Sequence, residues 1–167
     1  MTTGGALDAI LAGCDGLPTQ QFADGETLIA EGPNSGLMFV LVEGTLEVVK
    51  NGAIVADLDA PGSIVGEMAA LLGEPHSATV RASGPVTAYR IDDAPPFLRQ
   101  RPEMMFHIAC ILARRLTEAT SYLADVKHQY ADRADHLGMI DEVLETLLQK
   151  QNHARERGSR LKVDPRL

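Results

Sequence analysis

Between Thr27 and Ile91 the apolar residues fall in short, roughly alternating runs: Thr27–Ala30, Leu37–Val42, Thr45–Lys50, Ile54–Asp57, Ala78–Ala82 and Val86–Ile91. Such runs fit strands, because successive side chains of a strand point to opposite faces. Turn chemistry separates them at Asp24-Gly25, Gly32-Pro33-Asn34, Glu43-Gly44, Asn51-Gly52, Pro61-Gly62, Gly73-Glu74-Pro75 and Ser83-Gly84-Pro85. Asn51-Gly52, between Val48-Val49-Lys50 and Ala53-Ile54-Val55, is the sharpest hairpin signal. Many short strands with close-set turns predict a small barrel or jelly roll. Before it, Leu7, Ile10 and Leu11 give residues 1–21 a weak helical pattern, expected to pack on the β region.

After Pro95-Pro96 and Pro102 the period lengthens. Met105, Leu112, Ala119, Val126, Ile140 and Leu147 lie on one seven-residue track, and Ala109, Leu116, Leu123, Tyr130, Leu137 and Leu144 on a second. Sustained apolar a and d positions describe a coiled-coil seam. The pattern predicts a long helix over about 103–131 and a further helix over about 137–153, with Gly138 marking a break. A homodimer through residues 103–150 follows from the same tracks, because a small β domain cannot cover the whole stripe. The expected division is thus residues 1–21 helical, 22–96 β, 97–153 helical and 154–167 a basic tail.

Composition narrows the function. The chain has 167 residues, no Trp and only 4% aromatic residues, so its core must be built from aliphatic side chains and Met. Two cysteines, Cys14 and Cys110, are too few for a disulfide framework, a four-cysteine cluster or a structural zinc site. With no apolar run of membrane length and no export pattern, a cytoplasmic protein that meets no membrane is expected. The net charge of −8 is uneven: residues 150–167 carry +4 and the remainder −12. That balance argues against general nucleic-acid binding.

Little here suggests catalysis. There is no nucleophile elbow, dinucleotide fingerprint or His-Glu-x-x-His spacing, so no catalytic or metal-ligating residue and no required cofactor is assigned. His107, His128, His136 and His153 read as solvated helix positions. The informative stretch is Val65 to Val80: a Gly turn, one short helix, a Gly-Glu-Pro break and a strand. A helix N-terminus presents unpaired N–H groups and the positive end of a dipole, which suit an anion. Glu67 beside it could accept hydrogen bonds from ligand hydroxyls.

Taken together, these segments resemble the cyclic-nucleotide-binding domain of catabolite-activator-type regulators, cyclic-nucleotide-dependent kinases and gated channels. The resemblance runs from about Gly25 to Lys127 and rests on Gly25-Glu26-Thr27-Leu28-Ile29-Ala30-Glu31-Gly32, Met38–Val48, the cassette Gly66-Glu67-Met68-Ala69-Ala70-Leu71-Leu72 and Ala78-Thr79-Val80-Arg81-Ala82. It implies a mainly β fold, an eight-stranded jelly roll followed by a long dimerisation helix and a further C-terminal helix. It also implies a cyclic nucleotide, cAMP or cGMP, as ligand. Glu67 would hold the ribose 2′-hydroxyl, and the amides around Gly66, Met68 and Ala69 the phosphate. Ser77 would contact phosphate or base, and Thr120 and Ser121 lie near where the family sends hydroxyls to the base.

One position departs from the pattern. Where the family places Arg against the phosphate, this chain has His76. An imidazole offers one donor to the ligand and is mostly neutral at pH 7, with an unperturbed pKa near ~6.5. Losing a charge-assisted hydrogen bond worth about 1.5–3 kcal/mol weakens binding on the order of tenfold to a hundredfold or more. Arg81, five residues on along a strand, is expected to face away. Three readings of the pocket stand open: a weak, pH-sensitive cyclic-nucleotide site, a site for another polar or anionic ligand, and a lapsed pocket in a dimerisation scaffold or adaptor. About 36 residues follow Ala131, without the look of a helix-turn-helix, so direct DNA binding is not expected and the output would pass to a protein partner.

Overall fold

The structure, a computed structural model, describes residues 3–129 together with residues 140, 142–144 and 146–147. It divides into two compact units, Met1–Leu112 and Ala113–Leu167. The first opens with α1 (Thr3–Ala12) and continues through β1 (Thr19–Phe22), β2 (Thr27–Ile29), β3 (Met38–Lys50), β4 (Ala53–Leu58) and β5 (Ile64–Val65). After these come α2 (Glu67–Leu72), β6 (Thr79–Ile91), α3 (Ala94–Arg99) and the start of α4 (Pro102–Gln129).

The strands form one antiparallel sheet in the order β1-β6-β3-β4, with β2 also on β6 and β5 also on β3. β3 and β6 are its spine. The first half of β3 pairs with β5 and the end of β6, with Phe39 opposite Val65 and Arg90. Its second half pairs with β4 and the beginning of β6, with Glu47 opposite Asp57 and Arg81. The expected hairpin is present: Asn51 (φ 51°) and Gly52 (φ 79°) turn β3 into β4.

Among the described residues there are six strands, where eight were expected. Glu43-Gly44 and Ser83-Gly84-Pro85 do not end strands. They are irregularities inside β3 and β6, where the register shifts from Glu43 opposite Thr87 to Thr45 opposite Ser83. Gly44 makes this possible. At φ 104° it lies against β6 so closely that a Cβ would meet the Pro85 carbonyl and stand 2.9 Å from Val86 Cα. Four of the expected runs therefore fuse into two long strands, while β1 and β5 are short pairings that the hydrophobic pattern does not announce.

Two cores flank the first half of β3. Phe39 and Leu41 point into the sheet's interior with Phe22, Leu28, Ile29, Leu46, Val80, Val86 and Ala88. Met38 and Val40 point the other way and join Ala6, Ile10, Cys14, Ile91, Leu98 and the helical Met104, Ile108 and Ile111. Alternation on one strand thus feeds two apolar layers, and Met38–Leu41 are buried on both faces. Burial also pushes the Cys14 thiol up to about 11, which leaves it unreactive.

The start of α4 carries a core-facing stripe that the two tracks do not include. Met104, Ile108 and Ile111 are the residues of α4 that enter the core, spaced as one helical face. Met105 and Leu112, assigned to the seam, are half-buried against the same cluster, whereas Ala109 and Leu116 are exposed. His107 is not a solvated position. It is 7% exposed, and its Nδ1 has no hydrogen-bond partner among the described residues. Tyr130, Leu137, Gly138, His136, His153 and the basic tail lie outside the described residues, as does most of the second helix expected over 137–153.

Candidate functional site

The cassette starts where β5 ends. Gly66 takes a left-handed conformation (φ 90°) and caps α2, and Gly73 (φ 69°) closes it by donating to the Ala69 carbonyl at 2.9 Å. Gly66 also has no room for a side chain. A Cβ there would collide with the Leu37 carbonyl and come within 3.0 Å of Ile29 Cδ1. The chain can thus turn into α2 flush against the beginning of β3.

Within α2 the burial is inverted relative to an ordinary amphipathic helix. Glu67 (4% exposed) and Ala69 (5%) face inward, while Met68 (46%), Leu71 (40%) and Leu72 (62%) face out. A carboxylate in the first helical turn is favoured by the helix dipole. Burying it requires compensation, and Glu67 takes part in an interaction within the fold.

After the Gly73-Glu74-Pro75 break the chain returns beside the loop that precedes β3. The His76 carbonyl accepts from Gly32 N–H at 3.0 Å, and its N–H donates to the Pro33 carbonyl at 3.4 Å. The imidazole is 5% exposed, and its Nε2 lies 2.8 Å from Ser35 Oγ. Ser35 Oγ also accepts from Leu37 N–H at 3.2 Å. Burial pushes the imidazole below the usual histidine range, toward its neutral form. Ser77, next in the chain, is exposed.

Arg81 does not stand in for the missing arginine. Val80 and Ala82 belong to the interior core, so the residue between them projects from the opposite face of β6. There its Nε lies 2.8 Å from Glu47 Oε2. Thr120 and Ser121 lie on α4 in the second unit, where the Thr120 hydroxyl donates to the Leu116 carbonyl one turn back and Ser121 is exposed. Of the residues singled out in the sequence, then, Gly66, Glu67, Met68 and Ala69 share α2 and its cap, and His76 is joined to the 32–37 loop. The partner that the sequence did not point to is Ser35, 41 positions away from His76.

With this geometry in place, known proteins can be compared. Residues 19–95 match the profile of the cyclic nucleotide-binding domain family. That stretch, a little under half of the chain, is what resembles the family. Among curated proteins it is similar to the Pycsar effector protein XpPycTIR of Xanthomonas perforans, with 35% identity over 97 residues, or 56% of this chain. The chain spans only about a third of that relative (32%). Among solved structures it is similar to PKAR CBD2 bound to Sp-2Cl-cAMPS (TM-score 0.56, 22% identity, 74% of this chain and 86% of that one). It is also similar to the Catabolite Activator Protein of Thermus thermophilus (TM-score 0.55, 17% identity, 96% of this chain and 87% of that one). At these identities the structures speak for the fold, which is mainly β with flanking helices.

Proposed function

We propose that the chain is a ligand-sensing regulatory module rather than an enzyme, and that its ligand is a cyclic nucleotide, cAMP or cGMP, held at the α2 cassette. The observation that carries this reading is Glu67. It is a buried carboxylate in the first turn of α2, inside the segment that matches the cyclic nucleotide-binding domain. In this reading Glu67 accepts from the ribose hydroxyl and the amides of Gly66, Met68 and Ala69 face the phosphate. His76 and Ser77 complete the phosphate side. A neutral, buried imidazole binds the phosphate more weakly than arginine would, so the affinity is modest and rises as the pH falls.

The signal leaves through α4. Exposed Leu116 (45%) and Tyr122 (69%) suit a homodimer within residues 103–150, or the surface of a protein partner. The similarity to an effector protein of which about a third is matched fits a sensing part of a larger regulated system. No helix among the described residues is long and apolar enough to cross a membrane, and we place the module in the cytoplasm without direct contact to DNA.

A second reading has its own support. Because His76 is already occupied by Ser35, the pocket could be a lapsed one in a dimerisation scaffold. Calorimetric titration with cAMP, cGMP, cCMP and cUMP, on the wild type and on His76→Arg, separates the two. Binding by the wild type supports the sensor. Binding by His76→Arg alone identifies a lapsed site, and silence from both removes the sensor reading.

A further inference from the structure

The loop between Gly32 and Leu37 is clamped on two sides. On one side it meets the cassette exit: Gly32 N–H and the Pro33 carbonyl bond the backbone of His76, and Ser35 Oγ bonds its ring. One residue before the loop, Glu31 N–H donates to Thr79 Oγ1 at 3.1 Å, at the beginning of β6. On the other side the Gly36 carbonyl accepts from Ala94 N–H at 3.0 Å, at the first residue of α3. Within the loop, Asn34 Oδ1 accepts from Gly36 N–H at 3.3 Å and stiffens the turn between the two clamps.

The bond to α3 is not interchangeable with others. A helix start leaves its first N–H groups without intrahelical acceptors. In α3 the second and third residues are Pro95 and Pro96, which have no N–H, and the cap residue Asp93 makes no side-chain capping bond. The Ala94 N–H is therefore the donor through which the surroundings can hold this end of α3, and its acceptor belongs to the loop that carries Ser35. On the cassette side, His76 Nε2 is engaged by the Ser35 hydroxyl. Held there, as donor or as acceptor, it is not at the same time available to an anion.

We infer that Ser35 is a latch: it competes with a bound anionic ligand for His76 Nε2, and its release loosens the Gly36–Ala94 clamp at the start of α3. The inference rests on the cassette being the ligand site, and it assigns that site a regulatory part outside the cassette. When a phosphate draws the imidazole, Nε2 must carry a proton and turn from the Ser35 hydroxyl. Ser35 then loses one of its two bonds. The loop that ties it to α3 loses a fixed point, and α3 leads directly into α4.

Two measurements on the full chain test this. The first is the affinity of Ser35→Ala for the four cyclic nucleotides. Removing the competitor should tighten binding about fivefold, the equivalent of one ordinary neutral hydrogen bond. Ser35→Thr, which keeps the hydroxyl, should bind as the wild type does. An affinity for Ser35→Ala equal to or below that of a wild type that binds would overturn the latch. The second needs no ligand: hydrogen exchange at the Ala94 amide, followed by NMR. Ser35→Ala should speed this exchange several-fold, while the amides of Leu46 and Val48 in β3 keep their wild-type rates. Unchanged Ala94 exchange would overturn the latch whether or not any nucleotide binds. Silence in the first measurement from the wild type, Ser35→Ala and His76→Arg counts against the cyclic-nucleotide reading itself, and the exchange result then decides the latch alone.

Discussion

Arg81 and Glu47 stand opposite each other on β6 and β3, Nε to Oε2 at 2.8 Å, on the face of the sheet turned away from its apolar interior. The pair accounts for the cation that the sequence would first nominate in place of the missing arginine. With the Arg81 side chain 44% exposed, the pair is worth under about 1 kcal/mol. Arg81→Ala is therefore expected to lower stability by no more than that in urea unfolding and to leave nucleotide affinity unchanged. A large loss of affinity would return Arg81 to the site.

Restoring the family's residue should act in the opposite direction. His76→Arg adds a permanent charge and a planar fork of donors, and is expected to tighten binding of a cyclic nucleotide on the order of tenfold to a hundredfold. The check is titration calorimetry at pH 7.5, where the wild-type imidazole is neutral.

Stability should depend on pH through His76. Its proton affinity is lowered in the folded protein by burial, so the unfolded chain takes up the proton first as pH falls. The stabilisation is present above the ordinary histidine range, about pH 6.5, and is lost as pH falls through the depressed folded value. His76→Gln, which cannot titrate, is expected to flatten this part of the Tm-against-pH curve. An identical slope in wild type and variant would assign it to other groups.

Two glycines of the cassette should respond unequally to alanine. Gly73→Ala meets only the strain of a left-handed residue, because nothing lies within 4 Å of the added Cβ. Gly66→Ala meets that strain and a collision with the Leu37 carbonyl. A loss of about 1–2 kcal/mol is expected at Gly73, and a clearly larger one at Gly66. Chemical denaturation of both variants gives the comparison, and equal losses would mean that β3 yields to the added methyl.

The two faces of α4 should separate stability from association. Ile108→Ala opens the core between helix and sheet and is expected to cost about 2–5 kcal/mol. Leu116→Asp changes an exposed position and should leave the Tm of the isolated protomer within a degree or two, while lowering the sedimentation mass of a homodimer. A wild-type mass already that of a monomer would remove the dimer.

Local chemistry made much of this molecule readable. Asn51-Gly52 turns where it should, because both residues tolerate the positive φ of a tight hairpin. Gly66 and Gly73 bracket a helix as their spacing suggested. What was not readable depends on contacts distant in the sequence. Gly44 looks like a turn residue, and only the approach of Pro85 makes it a point of close contact inside a continuous strand. The seven-residue tracks give no sign that Met104, Ile108 and Ile111, outside both of them, are the residues buried against the sheet. His107 carries no mark of burial in its neighbours, and nothing near Ser35 announces a bond to a residue 41 positions on.

The strand that serves both apolar layers also sets the smallest piece of this chain able to stand alone. A fragment cut to the matched segment, residues 19–95, would keep the inner layer and strip the outer one. Met38, Val40, Ile64 and Ile91 would then face water in place of Ala6, Ile10, Met104, Ile108 and Ile111. Anyone transplanting this domain into another protein must carry α1 and the first turns of α4 with it, so the graft begins near Thr3 and ends near Leu112.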